Sequence, residues 1–374
     1  MSSSPSSDWD LSKAADVKLY LATTPFAATS VLPLSGGYSN FVYRLVLQTP
    51  YEGRTTLVLK HGKDHLPGSD KTTLHFDLVR QIFEVEAMNW IHTWISPDAL
   101  VTTPKVHCID ETAHCVLMDD AGEGSTTLKQ FILDGQCDTS VAKDIGHGLG
   151  AFLARMHARG AAPEEDRARR TMDTNEQGKR LSAWVTHGRT ISTLSGADGL
   201  EALEKPTLGI AEEDLQLVAD YTQQTSAAIM NSKETIVQGD FWPGNMLLTL
   251  DNTGKLKRIT VVDWELVKLG IPGYDLGQFF AETHLLRRFH PRLDETVSVL
   301  EYAFKQAYAK EAGLPSVEAD EKLNRDMLVQ QAVHLITWTV RIRWGEREAM
   351  RAVVMEGFRQ LKSCIKSIPS GKQA

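Results

Sequence analysis

Cysteine is scarce in this chain, with four in 374 residues, at positions 108, 115, 137 and 364. None forms a Cys-x-x-Cys pair, which argues against a zinc ribbon or dithiol redox centre and fits a reducing compartment, so the expected location is cytoplasmic. Long apolar runs are also missing. No stretch reaches the roughly 18 apolar residues of a membrane span. The start, Met1 to Asp10, has neither a basic segment nor an apolar core, so a secretory leader is not expected. Basic charge is in deficit: 40 Lys and Arg stand against 48 Asp and Glu, a net charge of −8. A protein that wraps nucleic acid carries the opposite balance, so neither nucleic acid nor membrane is an expected partner. No repeat of about 20–50 residues recurs, which removes solenoids and propellers. His61 and His65 are spaced for a helical metal site, but Gly62, Pro67 and Gly68 around them read as loop.

What is present is a globular balance, 42% hydrophobic and 24% charged, in a chain long enough for two domains. The first third reads as strands. Phe41–Leu47 and Thr55–Lys60 are rich in β-branched and aromatic residues, bounded by Ser35-Gly36-Gly37 and by Pro50 with Gly53. A helix is predicted over Asp77–Trp94, then short strands near Lys105–Cys108 and Cys115–Met118. Beyond Asp119-Asp120-Ala121 the pattern turns helical. Helices are predicted over Thr139–His157 (capped by Asp138), Asp214–Ile229, Asp294–Glu311 and Glu321–Trp344. Gly146, Gly148 and Gly150 fall inside the first of these, where they suit close helix packing rather than a dinucleotide loop. Ala161–Arg180, charged, Pro-containing and aperiodic, reads as an exposed insertion or loop. Thr235–Val262 is the exception among the helices, with a hairpin turning at Asp251-Asn252-Thr253-Gly254. The expectation is an α+β fold of two lobes, an antiparallel-sheet lobe over residues 1–120 and a larger, mainly helical one over 121–374.

The chemistry concentrates in Val237-Gln238-Gly239-Asp240-Phe241-Trp242-Pro243-Gly244-Asn245 and Val261-Val262-Asp263-Trp264-Glu265. An acid, an amide five positions on, and a second acid after a hairpin are the parts that metal-assisted phosphoryl transfer uses. One carboxylate orients the attacking hydroxyl and takes its proton, while amide and carboxylate oxygens hold Mg²⁺ on nucleotide phosphates.

These motifs resemble the aminoglycoside phosphotransferase and choline kinase superfamily of small-molecule kinases. Its signature is HGDxxxxN, followed by two hydrophobic residues, Asp, one of Phe, Trp, Leu or Pro, and an acid. Within it, Leu34–Gly37, Pro50–Gly53, Leu59–His61, Asp263–Leu266 and Trp338–Gly345 are similar to fungal hydroxytryptamine kinases and methylthioribose-kinase-like members. The resemblance implies a two-lobed protein-kinase-like fold and transfer of the γ-phosphate of ATP, with Mg²⁺, to a hydroxyl of a small metabolite. It makes Asp240 the catalytic base, Asn245 and Asp263 the metal ligands, and Asp275 a structural brace of the catalytic loop. Ser35, Gly36 and Gly37 would approach the phosphates through backbone amides. Lys60 would contact the α- and β-phosphates and pair with Glu84, Glu86 lying on another face. Asp119 and Ala121 would belong to an interlobe hinge that meets adenine. One departure stands out: Gln238 replaces the usual histidine, and this motivates the alternative of a nucleotide-binding pseudokinase or scaffold. His157 reads as a packed or loop-bonding residue. No HRD, DFG or APE segment of a protein kinase is present.

For the acceptor, acids beside aromatic rings, namely Glu265 and Glu282 with Trp242 and Trp338, suit an ammonium-bearing or aromatic hydroxy compound. The expected assembly is a monomer or weak dimer.

Overall fold

The computed structural model describes residues 9–34, 40–64 and 76–367. Helix α1 (Ala14–Leu21) leads into β1 (Ala28–Pro33), β2 (Asn40–Tyr51) and β3 (Arg54–Gly62). Glu52 and Gly53 close the β2–β3 hairpin with φ of 46° and 80°, the pair of positive angles that a tight two-residue turn requires. Helix α2 (Arg80–His92), β4 (Val101–Thr102), β5 (Val106–Asp110) and β6 (Cys115–Asp119) follow. The sheet order is β1-β2-β3-β6-β5, with each neighbouring pair antiparallel. Leu45, Leu57, Leu59 and Leu117 pack beneath Val17 and Leu21 of α1. Lys60 sits near the end of β3 opposite Val116, in the centre of this sheet.

The chain continues through β7 (Thr126–Thr127), α3 (Leu128–Leu133), α4 (Thr139–Ala161), α5 (Asp166–Asp173) and α6 (Glu176–Ser182). A π-helical turn (Ala183–Gly188) links α6 to α7 (Thr190–Ser195), α8 (Glu201–Glu204) and α9 (Glu212–Asn231). Strands β8 (Thr235–Val237), β9 (Met246–Leu250), β10 (Leu256–Val261) and β11 (Lys268–Gly270) precede α10 (Pro272–Phe289), α11 (Asp294–Ala312), α12 (Glu321–Trp338) and α13 (Arg347–Lys366). Asp138 caps α4 by accepting from the Val141 amide at 2.8 Å. A Cβ on Gly146 or Gly150 would stand 2.3 Å or 2.2 Å from the Leu300 or Phe304 carbonyl oxygen of α11, so these glycines serve close helix packing. Strand β4, although early in the chain, pairs in parallel with β10 in a second sheet of order β4-β10-β9-β7.

Two sequence readings need correction. Ala161–Arg180 is not a loop but mostly helix, and two of its polar residues turn inward. Asn175, fully buried, donates to the carbonyls of Glu265 and Val267 at 3.1 and 2.8 Å, and Lys179 is held by Asp173 at 2.9 Å. The helix predicted over Glu321–Trp344 stops at Trp338. Arg343 adopts a φ of 54°, and the chain reverses so that Gly357 of α13 can lie against the Ala332 carbonyl of α12. His61, read as loop, is buried in β3, and its partner in that reading, His65, lies outside the described residues.

Candidate active site

Strand pairing sets two loops side by side. The β9–β10 hairpin joins them at one end, and β8 pairs with β11 at the other, Val237 opposite Lys268. Asp275 in the first turn of α10 clamps the first loop. It accepts from the Gln238 amide at 2.8 Å and from the Gly239 amide at 2.9 Å. His157 contacts the same carboxylate at 3.2 Å and Tyr308 at 2.9 Å, so it braces the loop from behind. Gly239 has a φ of 83°, and a Cβ there would strike Lys268 Nζ and the Leu266 carbonyl, so this turn excludes a side chain.

Gln238 stitches the loops together. Its Oε1 accepts from the Asp240 amide at 2.7 Å, and its Nε2 donates to the carbonyls of Asp263 at 2.7 Å and Val262 at 3.3 Å. The departure from histidine therefore leaves the loop braced. Asp240 itself accepts from Gln278 at 2.6 Å on one oxygen and from Asn245 Nδ2 at 2.8 Å on the other. Burial, reinforced by the charge of Asp263, raises its pKa to about 7 against the lowering effect of those donors.

Above the loops, the Lys60 ammonium lies 2.8 Å from Glu84 and 2.7 Å from Asp263. Of the two helical glutamates considered, Glu84 is the one that faces Lys60. Burial opposes the charge on Lys60, but Asp263, Glu84 and Glu265 outweigh it and hold the lysine firmly protonated. The second Glu84 oxygen is buried without a partner among the described residues, and burial pushes the pKa of that carboxyl up. Lys60, Glu84, Asp119 and Ala121 line a cleft of about 560 Å³ under the sheet. The Asp119 amide is already committed to the Lys105 carbonyl at 2.9 Å, and the Ala121 carbonyl accepts from Thr249 at 2.8 Å. Ser35, Gly36 and Gly37 lie outside the described residues.

A second cavity, about 330 Å³, lies on the other side of the loops and is lined by Asp240, Trp242, Glu265, Tyr274, Gln278 and Trp338 among others. Asn245 and Asp263 line both spaces, so the two cavities meet at this pair. The acids expected to meet an ammonium group are otherwise engaged. Glu265 accepts from the fully buried Arg80 at 3.1 Å and from Asn40 at 2.9 Å. Glu282 does not line the cavity; it pairs with Lys129 at 3.2 Å and with His334 at 2.9 Å. The Lys129 ammonium in turn sits over the rings of Trp344 and Trp242, 3.9 and 5.3 Å from their centroids. An internal lysine thus occupies the aromatic and acidic surroundings that the sequence suggested for an external amine. Trp264 is fully buried and serves the core. Gln278, Lys268, Arg80 and Asn175 escaped the sequence reading; only the position of Gln278, three residues after Asp275 on one helix face, offered a signal.

A sheet-roofed cleft carrying a buried lysine, joined to a second cavity at a carboxylate–amide pair, defines a small-molecule kinase with a protein-kinase-like fold. The sequence model of the phosphotransferase enzyme family matches residues 30–314, and the chain belongs to that family. It is 28% identical to the 4-hydroxytryptamine kinase of Psilocybe cubensis over 337 residues, 88% of this chain and 86% of that protein. The phosphotransferase FrzJ of a Cladobotryum species is 23% identical over 336 residues, covering 84% of this chain and 81% of that protein. In fold it is similar to the streptomycin–ATP ternary complex of APH(2")-IIa. The TM-score is 0.52 at 13% identity, over 94% of this chain and 98% of that one. No helix among the described residues is long and apolar enough to cross a membrane.

Proposed function

We propose that the larger cleft takes ATP with Mg²⁺ and that the smaller cavity takes a hydroxylated aromatic metabolite, onto whose hydroxyl the γ-phosphate is transferred. The observation that carries this reading is the meeting of the two cavities at Asn245 and Asp263, with Asp240 facing the smaller one. In this reading Asp240 accepts the hydroxyl proton as the oxygen attacks phosphorus, and its raised pKa makes it an effective base near neutral pH. Lys60, held by Glu84, offers positive charge to the phosphates, and the hinge around Asp119 and Ala121 borders the base.

The donor set suits magnesium. Asn245 spends its Nδ2 on Asp240, and among the described residues its amide oxygen has no protein hydrogen bond, which leaves it for a cation beside Asp263. Asn245 and Asp263 would hold the ion, which supplies charge neutralisation at the phosphates. The aromatic lining of Trp242, Tyr274 and Trp338, together with the hydroxytryptamine kinases among the relatives, makes hydroxyindole amines the first acceptors to test. Asp240→Asn should keep its melting temperature and ATP binding and lose phosphotransfer by about a hundred- to ten-thousandfold. Turnover persisting within tenfold of wild type removes Asp240 from the role of base.

A further inference from the structure

The smaller cavity holds two polar groups that the chemistry above leaves unused. Lys268 on β11 is 3% exposed. It sits opposite Val237, and both residues line the cavity, as does Gly270. Its ammonium presses on the catalytic loop, 2.3 Å from where a Cβ of Gly239 would stand. Its hydrogen bond among the described residues is to the Leu266 carbonyl, at 3.1 Å. An ammonium has three donors, so this one retains unspent capacity. Asp240 and Asp275 attract it, yet burial outweighs them and lowers its pKa to about 8. The second group is Ser182 at the end of α6, which lines the same cavity with its Oγ buried and without a partner among the described residues. Buried polar groups left in this state mark places where a ligand completes the hydrogen bonding.

The carboxylates of this cavity are in the opposite condition. Asp263 is paired with Lys60 and Glu265 with Arg80. Asp275 accepts from two loop amides, and Asp240 from Gln278 and Asn245. At the mouth, Arg189 lies 4.0 Å over the exposed ring of Trp184, placing a further cation at the entrance. The cavity therefore presents acids already supplied with donors and a buried cation with donors to spare. Such a cation gains most from an anionic ligand oxygen.

We propose that Lys268 is a specificity-determining residue of this cavity and that the acceptor bears a carboxylate, beside its hydroxyl and ring, which accepts from Lys268. The acceptor class is then a hydroxylated aromatic amino acid rather than the amine lacking its carboxyl group. The inference rests on the reading of this cavity as the acceptor site. Lys268 binds and orients; the proton still passes from the acceptor hydroxyl to Asp240, and ADP leaves.

The test compares 4-hydroxytryptophan with 4-hydroxytryptamine, which differ in one carboxylate. The wild-type protein should favour the acid at least tenfold in kcat/KM, since a site built to donate to a group discriminates against the analogue without it. Lys268→Met should lose that preference through a raised KM for the acid, with the KM for ATP and for the amine moving less than twofold. Lys268→Gln, which keeps a donor without the charge, should fall between, and it carries the comparison if the methionine variant does not fold. Equal use of both compounds by wild type, or equal loss on both in the variants, overturns the inference. Equilibrium binding of the two compounds to Asp240→Asn reads the preference without turnover: tighter binding of the acid supports it, and equal or absent binding overturns it. Absence of ADP release from wild type with every hydroxylated acceptor overturns the kinase reading instead, whichever way that binding falls.

Discussion

The two cavities treat charge differently. In the cleft under the sheet, one lysine is shared by Glu84 and Asp263, and Arg44 pairs with Asp120 at 2.7 Å, so cations and anions come together in compact sets. In the smaller cavity, the proposed acceptor site, Lys268 meets a single carbonyl among the described residues, while the nearby carboxylates accept from amides or from cations outside the cavity. In the proposed reading the cleft holds the nucleotide, a ligand of constant chemistry, and its charges are already arranged against one another. The cavity keeps recognition groups in reserve, and these come from β11, α6 and the π-helical turn rather than from the catalytic loops. In the proposed reading, transfer chemistry and acceptor choice are carried by separate elements that touch at Asn245 and Asp263.

The comparison can be broken most forcefully on the cleft side. Lys60→Met leaves the buried Glu84 and the partly exposed Asp263 without their shared cation; breaking a fully buried pair costs about 3–5 kcal/mol, and the exposure of Asp263 puts the expected loss at the low end of that range. The expected outcome is a large drop in denaturation midpoint and a raised KM for ATP, with the acceptor KM little changed. A variant that loses acceptor affinity as strongly as ATP affinity would show that the cavities are not separable.

Acid should strain both halves of the molecule together, because the π-helical turn and β3 each hold a buried histidine whose pKa burial lowers. His187 in the π-helical turn bonds Gln330 at 3.0 Å and Thr225 at 2.9 Å, and burial lowers its pKa to about 4. His61 in β3 is lowered to about 4 by burial and by nearby Lys63. Each binds its proton more weakly when folded than when unfolded, so the stability it protects is complete above pH about 6.5. That stability is lost as pH falls towards 4, on the order of 3 kcal/mol per group. Thermal melts from pH 7 to 4 should show this slope, and His187→Asn and His61→Asn should each flatten part of it. A slope unchanged in both variants would place the acid sensitivity elsewhere.

Legibility in the sequence followed the same division. Asp240, Asn245, Asp263 and Lys60 stand in short motifs whose spacing carries their chemistry, and the structure brings all four to one junction. Helices with a strong apolar stripe and a cap, such as α4 behind Asp138, were readable too. The misreadings arise where a polar residue is used inward. Lys179 and Asn175 look like surface residues in the sequence because charge and amide side chains usually face water, yet both are buried, Asn175 against the second loop. Glu265 and Glu282 look available because their partners, Arg80 and Lys129, are more than 150 residues away in sequence. Lys268 was invisible for a related reason: alternation in a three-residue strand says nothing of which face borders a cavity.

Smaller changes sharpen the contact between the two sides. Gln238→Ala removes two hydrogen bonds that tie the loops and one within the first loop, and leaves the Asp263 carbonyl without that partner. A loss of about 2 kcal/mol in stability and a fall in kcat with little change in either KM are expected. Gln238→His, which restores the residue usual in the resembling superfamily, should recover most of both. Full activity in the alanine variant would mean that Asp275 alone braces the loop.

The finest probe is Gln278, because it acts on Asp240 from the acceptor side without touching the cleft. Its amide donates at 2.6 Å to the oxygen not held by Asn245, and this donation favours the ionised carboxylate. Gln278→Leu removes that preference, so the pKa of Asp240 should rise from about 7. More of the base is then protonated at neutral pH. The acidic limb of the kcat profile should move to higher pH by less than about one unit, equivalent to roughly 1.4 kcal/mol at most. The rate on the alkaline plateau should stay near wild type, and so should the KM for ATP. A limb that does not move, with the plateau lowered instead, would mean that Gln278 orients Asp240 rather than tuning it, and that the acceptor side controls geometry more than protonation.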